Sequence, residues 1–284
     1  MELFSPLIMG ILLGGLYALI ALGLSMVFGV MRLINLAHGD LVILSSYLTF
    51  MLLSKFGINP ILSLVITIPI LFVLGFLIQQ FFMRRAYAIS DEAPLIIAFG
   101  IALIIQNSIQ IVTDPQSRGI STSYSMASFS IGDMQFPVIY LLNFLVALLV
   151  MLSINTFLKQ TYLGRAITAA SQDKRAAQLM GINTRTIHAF AFGIAMISAA
   201  VAGSFLGMTF PFQPTSGTQF LIIAFGVVII GGLGSLFGTF LGGLLLGLVQ
   251  TLSGFFFGSA AQMLFVYCAV LLVLIVKPQG LFGR

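Results

Sequence analysis

Apolar residues along this chain fall in long unbroken blocks, with polar residues confined to the gaps between them. The blocks lie near 6–30, 41–54, 60–82, 93–113, 137–158, 186–207, 219–230, 236–253 and 259–276. At about 1.5 Å per helical residue, most are long enough to cross a hydrocarbon layer of ~30 Å. The pattern predicts an all-α, polytopic transmembrane helix bundle with eight or nine spans. Blocks 41–54 and 219–230 reach only about 21 Å and about 18 Å by the same rise. They are predicted to be half-helices or re-entrant pieces. A polar break, "NLAHGD" (35–40), precedes the first, and a glycine break, "GGLGS" (231–235), follows the second. Short or interrupted segments in the two halves of a transporter point to discontinuous helices around a midplane pathway. Irregular backbone at membrane depth is tolerated only where protein or water surrounds it.

Composition agrees with this class and excludes others. Of 284 residues, 60% are hydrophobic and 7% charged, and mean hydropathy is +1.15. A soluble domain carries about 25% charged residues, so this chain cannot cover a water-facing globule. The net charge of +5 is an orientation signal, not a nucleic-acid footprint, and no nucleic-acid partner is expected. Lys159, Arg165, Lys174, Arg175 and Arg185 share the 159–185 loop with one acid, Asp173. Arg84 and Arg85 mark a second basic loop, and Lys277 and Arg284 mark the C-terminus. Nine of the twelve basic residues therefore lie in three places that the positive-inside rule assigns to the cytoplasm. The turn-rich 114–136 segment then faces outward. Whether 41–54 and 219–230 cross fully decides the side of the N-terminus. The first block is too long for a signal-peptide core and reads as a retained span. The chain reads as one transmembrane domain over 1–284.

Small residues form two ridges, Gly234, Gly238 and Gly242, and Ala195, Ala199, Gly203 and Gly207. Such ridges let helices approach closely in lipid, either within this chain or, for one of the two, against another subunit. The single cysteine, Cys268, lies in an apolar block, so it reads as a lipid-facing or packing residue.

The polar cluster at 32–40 is the main candidate for chemistry at membrane depth. Asp40 precedes a block and is a preferred N-cap type. Gly39 permits a turn, and Asn35 can bond broken backbone. Arg32 is placed at the headgroups with its charge extended to water. Ionisable groups at membrane depth also tend to line pathways, so His38 and Asp40 are pathway candidates, together with Gly231, Gly232 and Gly234 of the second break. His188, beside Arg185, is placed at the interface. No His, Cys or carboxylate cluster has metal-ligand spacing, and no cofactor is expected. No Ser/His/Asp set lies close in sequence, so an enzyme is not expected. No G-x-x-x-x-G-K-[ST] occurs either, so the chain cannot cradle a nucleotide phosphate by that loop.

The 159–185 loop is more than a tether. Residues 168–180 are rich in Ala, Gln, Lys, Arg and Leu, all good helix formers, and Gly181 with Asn183 supplies a stop. An amphipathic helix is predicted there, ending at Gly181. It could rest on anionic headgroups or dock a cytoplasmic partner. Within it, "RAAQLMG" (175–181) resembles the EAA---G signature of ABC-importer permeases at Ala176, Ala177 and Gly181, with Arg175 where the signature has Glu. "NLAHGDLVILSSYL", "YLGRAITAASQDKRAAQLMGIN" and "GGLGSLFGTFLGGLLLGL" occur in that order. Together they resemble LivH-type permeases of the branched-chain amino acid ABC importers, over roughly 8–280.

The resemblance implies a permease subunit that supplies a translocation pathway for leucine, isoleucine or valine. It implies a homologous permease partner, two cytoplasmic ATPase subunits docking at Arg175, Ala176, Ala177 and Gly181, and a periplasmic solute-binding protein. It also implies the bacterial inner membrane. Rival readings are an ABC permease for another small solute, an ion-coupled secondary transporter and a non-transporting scaffold.

Overall fold

A computed structural model describes residues 3–90, 92–131 and 134–283. Arg284, one of the two C-terminal cations, lies outside the described residues. The helices are α1 (Phe4–Met31), α2 (His38–Phe56), α3 (Pro60–Leu77), α4 (Arg84–Ala86), α5 (Ala93–Thr113), α6 (Ser123–Met126), α7 (Val138–Gln160), α8 (Tyr162–Gln172), α9 (Lys174–Leu179), α10 (Thr184–Thr209), α11 (Gly217–Gly231), α12 (Leu236–Phe257) and α13 (Gln262–Val276). Six π-helical residues, Ile78–Met83, join α3 to α4. A two-stranded antiparallel ribbon, β1 (Ser128–Ile131) and β2 (Met134–Pro137), pairs Phe129 with Phe136. Among the described residues, nine helical stretches are long and apolar enough to cross a membrane. The all-α polytopic bundle expected from the apolar blocks is the fold observed.

Helices α1 and α10 form the centre, buried along most of their lengths. Glycine sets how closely the helices approach. A Cβ on Gly14 would lie 2.6 Å from the Leu244 backbone, and one on Gly243 would lie 2.6 Å from that of Ala18, so α1 and α12 meet nearly backbone to backbone. Both small-residue ridges are occupied by contacts inside the chain. Gly242 packs on Val227 and Gly231, Gly203 on Val42 and Ser45, and Gly207 on Ile120 and Phe212, while Ala195 and Ala199 are fully buried. The subunit-contact alternative for these ridges therefore does not hold. Gly234 lies in the turn before α12 and abuts Gly29. Cys268 is exposed.

One end of the bundle gathers the positive charge. Arg32, Arg84, Arg85, Lys174 and Arg185 surround one cavity there, so the two basic loops share a side, as the positive-inside rule requires. The C-terminal tail returns to this end, where Leu281 N–H donates to the Ile230 carbonyl at 2.8 Å. Helix α1 ends at this side and begins at the other. With nine candidate spans among the described residues, the start of α1 and the tail at Leu281 lie at opposite ends of the bundle, the tail at the basic end.

The loop between α7 and α10 differs from the single helix predicted. It is two helices, α8 and α9, broken at Asp173. The Asp173 carboxylate accepts from the N–H groups of Arg175 and Ala176 at 2.8 and 3.0 Å, which starts a new helix instead of continuing the old one. The stop falls where expected. Gly181 has φ +80°, its N–H donates to Gln178, and that of Ile182 donates to Ala177. That pair of bonds is the Schellman closure, for which a left-handed glycine is suited.

Candidate functional site

The middle of the bundle is marked by two helices that begin there. His38, the first residue of α2, is fully buried, and its Nε2–H donates to the Ile20 carbonyl of α1 at 2.8 Å. Ile20 is eleven residues, about 17 Å, short of the end of α1. The chain therefore leaves α1 through Arg32, held left-handed at φ 53°, and climbs back alongside it. Six residues can cover up to about 20 Å when extended, enough for that climb. From mid-depth α2 runs outward against α10. Ser45 and Ser46 donate to the carbonyls of Ala200 and Gly203 at 2.6 and 2.7 Å, and Thr49 bonds Ser204 at 2.7 Å.

Helix α11 begins at the same point and runs the other way. A Cβ on Gly39 would overlap the Gly217 carbonyl oxygen, and one on Gly217 would overlap the Asp40 carboxylate. The far end of α11, at Gly231, packs on Gly238 at the basic end. Two helix N-termini thus face one another inside the bundle and diverge toward opposite sides.

Several sequence expectations change here. The short blocks are longer helices than their apolar cores: α2 has 19 residues and α11 has 15. Asp40 does not cap α2, because the N-cap is Ala37 and its side chain makes no capping bond. Asp40 sits in the first helical turn, 3% exposed, where a carboxylate is favoured by the free N–H groups and helix dipole. Gly39 is helical and serves close approach to Gly217, while the left-handed turn residue is Arg32. Asn35 is fully buried, accepts from Ala37 N–H at 3.1 Å and accepts His38 N–H on its own carbonyl, bonding broken backbone as expected. The second mid-depth break is 210–216, before α11. Gly231, Gly232 and Gly234 instead make the tight turn into α12 at the basic end, with Gly232 at φ +100° and Gly234 at φ +83°. Against Gly232 packs the tail at Gly283.

Helix α5 supplies the residue that sequence reasoning missed. Gln106 Nε2 donates to Asp40 Oδ1 at 2.9 Å, a bond across 66 residues of sequence. The signal available was the amide-rich run "QNSIQ" (106–110) inside an otherwise apolar block. Asn107 is exposed and bonds its own helix at the Leu103 carbonyl. Two buried atoms at the break have no partner among the described residues, His38 Nδ1 and Asn35 Nδ2. Electrostatically, the site holds one carboxylate between two helix N-termini and an amide donor. Among the described residues no group of three His, Cys, Asp or Glu could hold a metal ion.

The α8–α9 loop at the basic end presents a different surface. Ala176 is exposed and Arg175 is exposed, but Ala177 is 5% exposed and faces the chain's own body. Leu179 and Met180, just before Gly181, are 89% and 82% exposed. Two large apolar side chains thus project to the outside of a basic loop, a feature the alanine pattern did not indicate.

Comparison with known proteins covers nearly the whole chain. A family described as a branched-chain amino acid transport system permease component matches residues 7–276. The high-affinity branched-chain amino acid transport system permease protein BraD of Pseudomonas aeruginosa is 32% identical, across 99% of this chain and 95% of that protein. LivH, the permease protein of the same kind of system in Escherichia coli K12, is 32% identical across 97% of this chain and 94% of its own length. The solved PsaBC from Streptococcus pneumoniae in complex with Fab shares the fold, with a TM-score of 0.54 at 12% identity over 95% of this chain and 91% of that chain. By its match over nearly its full length, the chain belongs to the branched-chain amino acid transport system permease component family.

Proposed function

We propose that this chain is the membrane-spanning permease subunit of an ATP-driven importer for branched-chain amino acids in the bacterial cytoplasmic membrane. One observation carries the proposal: relatives named as permeases of that transport system align with almost the entire chain at 32% identity. A homologous permease of the kind named LivM, itself 28% identical over 94% of this chain, completes the pathway. Two cytoplasmic ATPase subunits and an external solute-binding protein complete the importer, so hydrolysis occurs on other chains.

The geometry gives this assignment a mechanism. ATPase subunits grip the α8–α9 loop through Leu179 and Met180, with Arg175 and Ala176 on the exposed side and Gly181 setting the turn. Displacement of that loop tilts α10, which follows it directly, and α10 carries α2 through the Ser45, Ser46 and Thr49 bonds. The mid-depth break then shifts relative to α5, whose amide-bearing face around Asn107 lines the pathway between the two permeases. An apolar amino-acid side chain needs few polar contacts on such a route, because tight binding would slow release.

The test is uptake of radiolabelled leucine by cells carrying the full set of subunits. Uptake is expected to fall with ATP depletion and to survive a protonophore when ATP is maintained. Leu179→Asp with Met180→Asp is expected to abolish uptake and co-purification of the ATPase while leaving the permease folded. Uptake that follows the proton gradient alone would replace this assignment with a secondary transporter.

A further inference from the structure

The cavity at the basic end is not used by the transport mechanism above, and its chemistry is distinct. It encloses about 730 Å³, in the range of ~300–1,000 Å³ typical of pockets that take a small molecule or headgroup. Arg32, Arg84, Arg85, Lys174, Arg185 and His188 line it, and no acidic side chain does so among the described residues. The one acid beside Lys174, Asp173, has its carboxylate engaged by backbone N–H groups of α9. Five exposed basic side chains around one cavity make its local potential positive and favour an anion among them.

Local geometry adds unpartnered polar atoms to the wall, of which the His188 ring nitrogen can donate to an anion while the amide oxygens only accept. The π-helical residues Ile78–Met83 widen the helix at this place, and such insertions often mark functional sites. They set Gln79 and Gln80 in the cavity wall, each with its amide oxygen buried and unpartnered, and His188 Nε2 is buried and unpartnered beside them. Apolar surface leads into the cavity from one direction. Val73, Leu77 and Phe81 recur every four residues on the outer face of the same helix, 51%, 41% and 52% exposed, and Phe81 is itself part of the wall.

We propose that this cavity binds the phosphate headgroup of an anionic phospholipid from the cytoplasmic leaflet, with its acyl chains along the Val73–Leu77–Phe81 stripe. Basic pockets between transmembrane helices on the cytoplasmic side suit such headgroups. A bound phosphate would bridge α9, through Lys174, to α1, α4 and α10, through Arg32, Arg84, Arg85 and Arg185. Lipid occupancy would then set how stiffly the cytoplasmic loop is coupled to the bundle. The proposal rests on the orientation of the chain and not on the identity of the transported solute.

The experiment uses the purified full-length chain in neutral detergent, titrated with micelles containing phosphatidylglycerol or phosphatidylcholine, and separately with inorganic phosphate at matched ionic strength. The readout is the thermal unfolding midpoint. Phosphatidylglycerol is expected to raise it saturably, while phosphatidylcholine and inorganic phosphate leave it in place. Each neutralised cation is expected to weaken binding by about fivefold. Arg32→Gln, Arg84→Gln and Arg85→Gln combined should raise the half-saturating lipid concentration by about a hundredfold, with Lys159→Gln, outside the cavity, as the unchanged control. If the combined variant does not fold, Lys174→Gln alone decides, with about a fivefold loss expected. Equal titrations of the variant and the unmodified protein overturn the proposal. An equal response to inorganic phosphate overturns the lipid assignment in favour of a free anion. Loss of ATPase association with lipid binding unchanged shows that the cations serve the partner protein and also overturns it.

Discussion

Gly39 and Gly217 meet nearly backbone to backbone at mid-depth, so that a methyl on Gly39 would occupy the place of the Gly217 carbonyl oxygen. This contact joins the first turns of two helices that leave in opposite directions. It depends on neither residue having a side chain. Irregular backbone inside a bilayer must be enclosed by protein, and here each break is enclosed by the start of the other helix.

Gly39→Ala and Gly217→Ala should therefore each be destabilising by about 3 kcal/mol, the upper range for overpacking a core. The Gly39 contact is with a carbonyl and the Gly217 contact with a carboxylate and the Asp40 backbone, so backbone must move in both variants. Gly100→Ala is the control. Gly100 is also helical, and a Cβ there meets nothing within 4 Å, so alanine should be neutral or stabilising by up to ~1 kcal/mol. Thermal midpoints of the purified variants check this, and equal behaviour at all three positions would sink the close-approach account.

The Asp40–Gln106 bond makes a prediction about charge. Asparagine at position 40 keeps an oxygen for Gln106 to bond, whereas alanine leaves the Gln106 amide without it. Asp40→Asn should fold and transport near normally, and Asp40→Ala should lose about 1–2 kcal/mol. A double-mutant cycle with Gln106→Ala should return a coupling of about 1 kcal/mol, since residues in contact fail additivity. Transport lost in Asp40→Asn with unchanged stability would instead place the charge itself on the solute route.

Much of this architecture is legible in the sequence because the hydrocarbon layer permits only long apolar helices, and these stand out as blocks. The starts of α2 and α11 are not legible in the same way. His38, Gly39 and Asp40 form the first turn of α2 but are polar, so they read as a break before the helix instead of its beginning. At α11 the conspicuous Gly231, Gly232 and Gly234 lie at the opposite end of the helix from its mid-depth start. The true break, "FPFQPTS" (210–216), contains Phe residues and Pro214, and Phe212 is fully buried. Its apolar character hides an extended stretch that ends in a single 3-10 turn, Pro214–Ser216. The Asp40–Gln106 bond is invisible locally, because nothing in either neighbourhood specifies a partner 66 residues away.

The break between α8 and α9 rests on one carboxylate. Asp173→Ala removes both capping bonds to Arg175 and Ala176, with a cost of about 1 kcal/mol. Because α9 has only six residues, that cost should appear as local fraying and not as a lower global midpoint. Amide exchange over 175–179 should quicken about fivefold, with exchange in α10 unchanged. Asp173→Asn, which keeps a capping oxygen, should restore most of the protection. Unchanged exchange in the alanine variant would mean that the cap does not hold α9.

Tyr17 and Gln250 tie the centre of α1 to α12. Tyr17 is 2% exposed, and its hydroxyl donates to Gln250 Oε1 at 2.5 Å, while the Gln250 amide reaches Gln262 Oε1 at 3.4 Å. Tyr17→Phe leaves the Gln250 carbonyl without its donor, and Gln250→Met leaves the Tyr17 hydroxyl without its acceptor. A buried polar group stripped of its partner costs about 1–3 kcal/mol, whereas removing both partners together is close to neutral. Each single variant should therefore lose about 1–2 kcal/mol, and the double variant should recover most of that loss. Phenylalanine and methionine keep the volume of this tightly packed seam, so recovery isolates the hydrogen bond from packing. Thermal unfolding of the four proteins makes the comparison. Additive losses in the double variant would show that shape and not bonding holds the two helices at this point.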